Sequence, residues 1–205
     1  MASVTKALIC NLALSHINQT QSSIANLDTD SGNTAVQCRI HFEVSRRFVL
    51  AYHNWGFAKK RITLSDLGSP PGTWLYRYDY PSDCLRFREI ERFTRNIPPV
   101  PFEVESDTNG TGLCVLTDQE EAVGIYTRDV TNVSLFPPAF VTAFSWHLAS
   151  ELAMAIPGDM ELQKTCFNIY RAYLMSAEAT DSEEGTQDPE IDSPWQRARG
   201  NGDSI

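Results

Sequence analysis

Residues 136 to 158, FPPAFVTAFSWHLASELAMAIPG, decide the fold because their apolar side chains would lie on every side of a single helix. The Pro-Pro pair suits the first turn of that helix, and Pro157 and Gly158 end it. A helix that is apolar all round must be surrounded by other elements. We therefore predict that residues 139 to 156 form the most buried helix of the protein.

Three further helices are predicted around this one. Ser3 is a possible cap for a first helix that runs to about Asn18, and a second helix spans roughly residues 33 to 55. The apolar stripe expected to be buried on the second helix comprises Val36, Ile40, Val44, Phe48, Tyr52 and Trp55. The charged residues expected off that stripe are Arg39, Glu43, Arg46 and Arg47. A fourth helix, over about 159 to 179, follows the third through a short loop, which predicts antiparallel neighbours.

Between the second and third helices the sequence changes from helical periodicity to the alternation typical of β-strands. The predicted strands lie in KRITLS, TWLYRYDY, CLRFREIERF, FEVE, LCVLT and EEAVGIYTRD. DLGSPPG and SDTNGTG separate some of them, and their Gly, Pro and Asn content is typical of loops and hairpin turns. This region is therefore predicted to be a small, mostly antiparallel β subdomain.

The predicted fold class is α+β. A four-helix bundle is formed from the N- and C-terminal helices, with the small antiparallel β subdomain inserted and an extended C-terminal tail. The predicted boundaries are 1–56 for the first half of the bundle, 57–130 for the β subdomain, 131–180 for the second half and 181–205 for the tail.

The chain is acidic mainly at one end. Its formal net charge is −9, and residues 178 to 205, with eight carboxylates and two arginines, contribute −6 of it. Sequence-independent nucleic-acid binding needs clustered lysines and arginines, so an acidic chain is poorly suited to it. No run of about 18 apolar residues occurs, and we expect no membrane anchor.

The sequence contains no recognisable catalytic or metal-binding pattern. Its four histidines lack H-E-x-x-H spacing, and its five cysteines form no C-x-x-C pair. Cys84 has no histidine near it in sequence, so a nucleophilic role is disfavoured. We therefore expect no catalytic, metal or cofactor-binding residues and a protein that is not an enzyme.

A run of arginines is the first candidate partner-binding site. It comprises Arg86, Arg88, Arg92 and Arg95. Phosphate binding, a protein contact made of Arg–carboxylate pairs, and a solvated strand face are all open interpretations. The glutamates at 89 and 91 reduce the positive field, which favours a protein contact over nucleic acid.

The C-terminal segment is the second candidate. Trp195, near Arg197 and Arg199, stands in a polar segment with no core of its own, which is typical of an anchor that docks into another subunit. An incidental tryptophan in an unstructured terminus is the alternative interpretation.

Five segments occur in an order found in one known family. They are ALICNLALSHI, IANLDTDSGNTAVQCRIHFEVSRRFVL, HNWGFAKKRITL, YRYDYPSDCLRFREI and FPPAFVTAFSWHLASELA. Over roughly residues 5 to 180 the chain resembles the tail tubular protein A family, the head-to-tail adaptors of short-tailed bacteriophages. No single motif is specific; the ordered set carries the resemblance.

The resemblance implies a structural protein of the virion tail or neck, assembled in the host cytoplasm. Family members form a ring, usually twelvefold, between the portal and the tail nozzle, and the genome passes through the channel without specific binding. The expected partners are therefore further copies of the chain, a portal protein and a nozzle protein, and we expect the segment bearing Trp195 to dock on the portal. The alternative is a small phage-encoded binding module or hydrolase unrelated to the virion.

Overall fold

The structure is a computed structural model that describes residues 4–19, 23–94, 98–107, 110 and 112–184, with side chains described as far as residue 177. Its helices are α1 (Lys6–His16), α2 (Asn33–Tyr52), α3 (Pro138–Ala155) and α4 (Met160–Glu184). Its strands are β1 (Lys59–Thr63), β2 (Tyr76–Asp79), β3 (Cys84–Ile90), β4 (Phe102–Ser106), β5 (Leu113–Thr117) and β6 (Val123–Arg128). The predicted α+β class is confirmed for these residues.

Helix α3 lies at the centre of the helical part, and α1, α2 and α4 each pack against it. Its buried side chains include Phe140, Phe144, Leu148 and Leu152. The proline at 138 occupies the first turn, where its missing N–H costs no hydrogen bond. The prediction that this helix is the most enclosed is confirmed.

The buried face of α2 differs from the predicted one. The exposed fractions of Ile40, Val44, Phe48 and Tyr52 are 59, 70, 43 and 54%. The face that meets the core instead carries Cys38, Phe42, Val49 and Leu50, and the rings of Phe42 and Phe144 meet edge to face at 5.0 Å. Both faces of α2 have apolar side chains at helical spacing, so periodicity alone does not determine which one is buried.

The helix ends also differ from the predicted positions. Thr5 caps α1, with its hydroxyl accepting a hydrogen bond from the Leu8 N–H at 3.1 Å, while Ser3 lies outside the described residues. Helix α2 ends at Tyr52, and Trp55 is buried beyond it, donating from Nε1 to the Val49 carbonyl at 2.9 Å. Residues 181–184, predicted to begin the extended tail, are the last turn of α4.

The six predicted strands form two three-stranded antiparallel sheets, in the orders β1-β6-β3 and β2-β5-β4. A bridge between Asp66 and Tyr78 connects the chain leaving β1 to the second sheet. The two sheets share a small core that includes Leu64, Tyr78, Phe87, Val115 and Tyr126.

Gly124 in β6 lies where side chains of this core approach the backbone closely. A Cβ atom there would lie 2.8 Å from the Phe87 ring and 2.9 Å from the Leu64 side chain. Real Cβ atoms do not approach other heavy atoms so closely, and the Phe87 ring is itself held against Phe102 at 5.0 Å.

Candidate interaction surfaces

Two of the predicted partner-binding arginines bind the backbone of their own subunit. Arg88 Nη2 donates to the carbonyls of Ala51 and His53 at 2.9 and 2.8 Å. Arg86 Nη1 reaches the Ala51 carbonyl at 3.4 Å. Carbonyls in the last turn of a helix lack helical partners, so these guanidinium groups stabilise the end of α2 and attach it to β3. Burial, with a smaller effect from Arg86, lowers the pKa of Arg88.

The remaining predicted residues divide into two groups. Arg92 already has an interaction partner within the chain. Arg95, Trp195, Arg197 and Arg199 lie outside the described residues. The structure therefore brings Arg86 and Arg88 together on the Ala51 carbonyl, at the junction between the helices and the β subdomain.

Arg46 is a buried part of the contact between the helices and the β subdomain, although the sequence predicted it off the buried face of α2. Its side chain is 2% exposed, and it donates to the carboxylates of Asp129 and Glu43 and to the Val130 carbonyl. Arg47 contacts the same Asp129 carboxylate from the solvent side. Burial alone would raise the pKa of Asp129, but hydrogen bonds from both arginines outweigh it and lower that pKa. The short-range Glu43–Arg46 spacing was visible in the sequence, whereas a partner 83 residues away was not.

The outer face of α2 carries what we call the α2 ridge: Ile40, Val44, Phe48 and Tyr52. These residues recur at every fourth position, which is the spacing of the ridges by which helices pack into one another. Two of the charged neighbours are used elsewhere, because Arg39 donates to the carbonyls of Leu27 and Asp30 and Arg46 turns inward. Glu43 and Arg47 remain exposed beside the ridge. The result is an apolar helix face open to solvent in the described structure.

The α2 ridge is linked to the exposed Phe167 of α4 through a buried histidine of α3. Phe48 stacks on His147 of α3 with ring centroids 4.6 Å apart. The same imidazole meets Phe167 and Tyr170 of α4 at 6.3 and 5.0 Å. We call the α2 ridge together with His147 and Phe167 the α2–α4 surface.

Histidine 147 gives this surface an uncharged centre. Burial lowers the pKa of His147 to about 4, so the imidazole is neutral at pH 7. Its Nδ1 atom is buried without a hydrogen bond to any described residue. The edge of the surface carries charges of both signs: Arg47 pairs with Asp129 and Lys164 with Glu161, while Arg171 is exposed.

Other chemistry is limited in the part of the chain that the structure describes. No group of three or more His, Cys, Asp or Glu side chains there could hold a metal ion. Burial raises the pKa of the Cys84 thiol to about 11, so it is protonated at neutral pH rather than a ready nucleophile. Among the described helices, none has the length and apolar content to cross a membrane.

Comparison with known protein families finds no family that matches this chain, and comparison with curated proteins finds no related sequence.

Proposed function

We propose that the protein is a head-to-tail adaptor of a short-tailed bacteriophage, which forms a ring with copies of itself between portal and tail nozzle. The observation that carries the proposal is the α2 ridge, a row of four large apolar side chains that are 43 to 70% exposed. Contiguous exposed apolar surface of this kind is typical of protein–protein contacts. We propose that the next copy around the ring covers the α2 ridge.

The geometry of the ridge indicates the kind of surface that covers it. Side chains at every fourth position form the kind of ridge that packs into the groove of another helix, and in this proposal a helix of the next copy covers it. In a ring the contact is head-to-tail, and the ridge of one copy meets a different face of the next. The helical part, arranged as a four-helix bundle around α3, therefore makes the lateral contacts in this proposal.

The other assignments follow the family resemblance. The β subdomain meets the nozzle and the ring is twelvefold. The C-terminal segment lies beyond the residues that carry the resemblance, and its docking on the portal is proposed from Trp195 and the nearby Arg197 and Arg199. The genome passes through the channel, where net negative charge on the protein limits adhesion of DNA. The protein is a structural component of the virion in this proposal and carries no catalytic site.

The energy available from the ridge sets the size of the expected effect. Fully burying one such apolar side chain contributes about 1.5–3 kcal/mol. Roughly half of each ridge side chain is exposed in the subunit, so covering that half contributes about 1 kcal/mol per residue. Four residues then contribute about 4 kcal/mol to each contact, or roughly a thousandfold in its equilibrium constant.

The test is incorporation of Val44→Glu into particles of a bacteriophage whose own copy of the gene is defective. We expect the variant to fold normally but to fall at least tenfold below wild type in purified particles, because the ridge would carry a charge into a desolvated contact. Val44→Ile is the matched control, since it alters the same 70% exposed position but keeps the ridge apolar. Normal incorporation of Val44→Glu, or particles that lack the wild-type protein, would contradict the proposal.

A further inference from the structure

We propose that residues 185 to 205 fold back over the α2–α4 surface of their own subunit and cover it until a neighbouring copy displaces them. The inference rests on the proposed function, because it concerns how the same surface is kept from associating before assembly. It assigns the C-terminal segment a binding site within the subunit in addition to the portal contact.

The length of the segment permits this contact. Phe167 lies 17 residues before the end of α4 at Glu184, which is about 26 Å along the helix axis. Trp195 lies 11 residues beyond Glu184, and a chain of that length extends to about 36–40 Å. Trp195 therefore reaches Phe167 and Phe48 with enough chain left over to reverse direction after the helix.

The chemistry of the segment matches the surface. Asp188, Glu190 and Asp192 precede Trp195 without an intervening cation. On α4, Lys164 and Arg171 lie three residues before and four residues after Phe167, which places them on the same helix face. Arg171 is exposed and has no ion pair with any side chain that the structure describes. Lys164 is already paired with Glu161 at 2.9 Å, so Arg171 is the cation that an acidic stretch ending in a large aromatic would meet beside Phe167.

Tethering favours this occupant over a second copy in dilute solution. A segment joined to the surface by a short flexible linker has an effective concentration on the order of millimolar. Free copies at micromolar concentration must bind about a thousandfold more tightly to compete. At the portal several copies are held side by side, so the tethered segment no longer has the higher effective concentration. The neighbouring copy then displaces the segment from the α2–α4 surface.

The test measures how accessible the ridge is in the full-length chain. Val44→Cys provides a thiol on the ridge, and its alkylation rate is compared with and without Trp195→Ala. The native cysteines give little background, because Cys10, Cys38, Cys114 and Cys166 are buried and the pKa of Cys84 is raised. We expect Trp195→Ala to raise the rate about tenfold, and Trp195→Phe to restore most of the protection. Leu75→Cys is the control, with a rate that Trp195→Ala leaves unchanged.

A second measurement uses self-association of the isolated protein. Sedimentation should show association at a concentration at least tenfold lower for Trp195→Ala, and for a chain ending at Glu184, than for wild type. An unchanged Val44→Cys rate in the Trp195→Ala background overturns the inference and leaves the adaptor proposal intact. Failure of the adaptor proposal shows separately, as normal incorporation of Val44→Glu into particles.

Discussion

Replacement of Arg46 by alanine tests whether the helices and the β subdomain are joined by a buried charge. The guanidinium is 2% exposed and donates to Glu43 at 2.7 Å and to the Val130 carbonyl at 2.7 Å, besides Asp129. Removing one member of a buried pair costs about 3–5 kcal/mol. Arg47 continues to neutralise Asp129, so we expect the lower end, about 3 kcal/mol. For a chain of this size that lowers Tm by about 6–12 °C.

Arg47→Ala is the matched control, because Arg47 binds the same Asp129 carboxylate with a side chain that is 60% exposed. An exposed ion pair contributes about 0–1 kcal/mol, so its loss should lower Tm by no more than about 4 °C. Thermal unfolding followed by circular dichroism measures both variants, and urea unfolding gives the free energies directly. If Arg46→Ala is no more destabilising than Arg47→Ala, then burial does not govern the strength of this network and the reasoning is wrong.

Two other predictions concern the β core and the helical core. Gly124→Ala should lower the free energy of unfolding by about 1–3 kcal/mol through overpacking against Phe87, whereas Gly112→Ala, with open space around it, should change it little in the same urea titration. The folded-state pKa of His147, about 4, lies below the ordinary value of 6.5, so only the unfolded chain takes up a proton as pH falls through that window. Wild-type Tm should therefore fall between pH 6.5 and 4, and the Tm of His147→Phe should fall less over the same range.

Helices and strands were predictable from the sequence where the local pattern of apolar residues matches the burial seen in the folded protein. The helix at Pro138–Ala155 is apolar on all sides, so exposing any face of it to water would cost free energy in any fold. The strands were predictable because alternation and turn residues mark each one independently of its partners. Their pairing into two sheets, with β6 between β1 and β3, joins residues far apart in sequence and was not visible in any local pattern.

The predicted partner-binding arginines show that the sequence did not reveal which groups their side chains contact. A cluster of guanidinium groups on an alternating strand suggests an outward-facing surface, yet Arg88 turns to the carbonyls that end α2. Those carbonyls lie about 35 residues earlier in the chain, and only folding brings them within hydrogen-bonding distance. The ridge, by contrast, was recognised as an apolar stripe and assigned to the wrong side of the helix.

The amino-acid sequence determined which residues of this protein form helices and strands, and which side chains share a face, because backbone geometry imposes those periods locally. Only the tertiary structure decided which face of α2 is buried. Arg46 can enter the interior because Asp129 arrives from the far end of β6 to neutralise it, and that turns Val44 and Phe48 outward. A charge whose partner is 83 residues distant cannot be assigned to the core or to the surface by local pattern, since its burial depends on whether the partner is there.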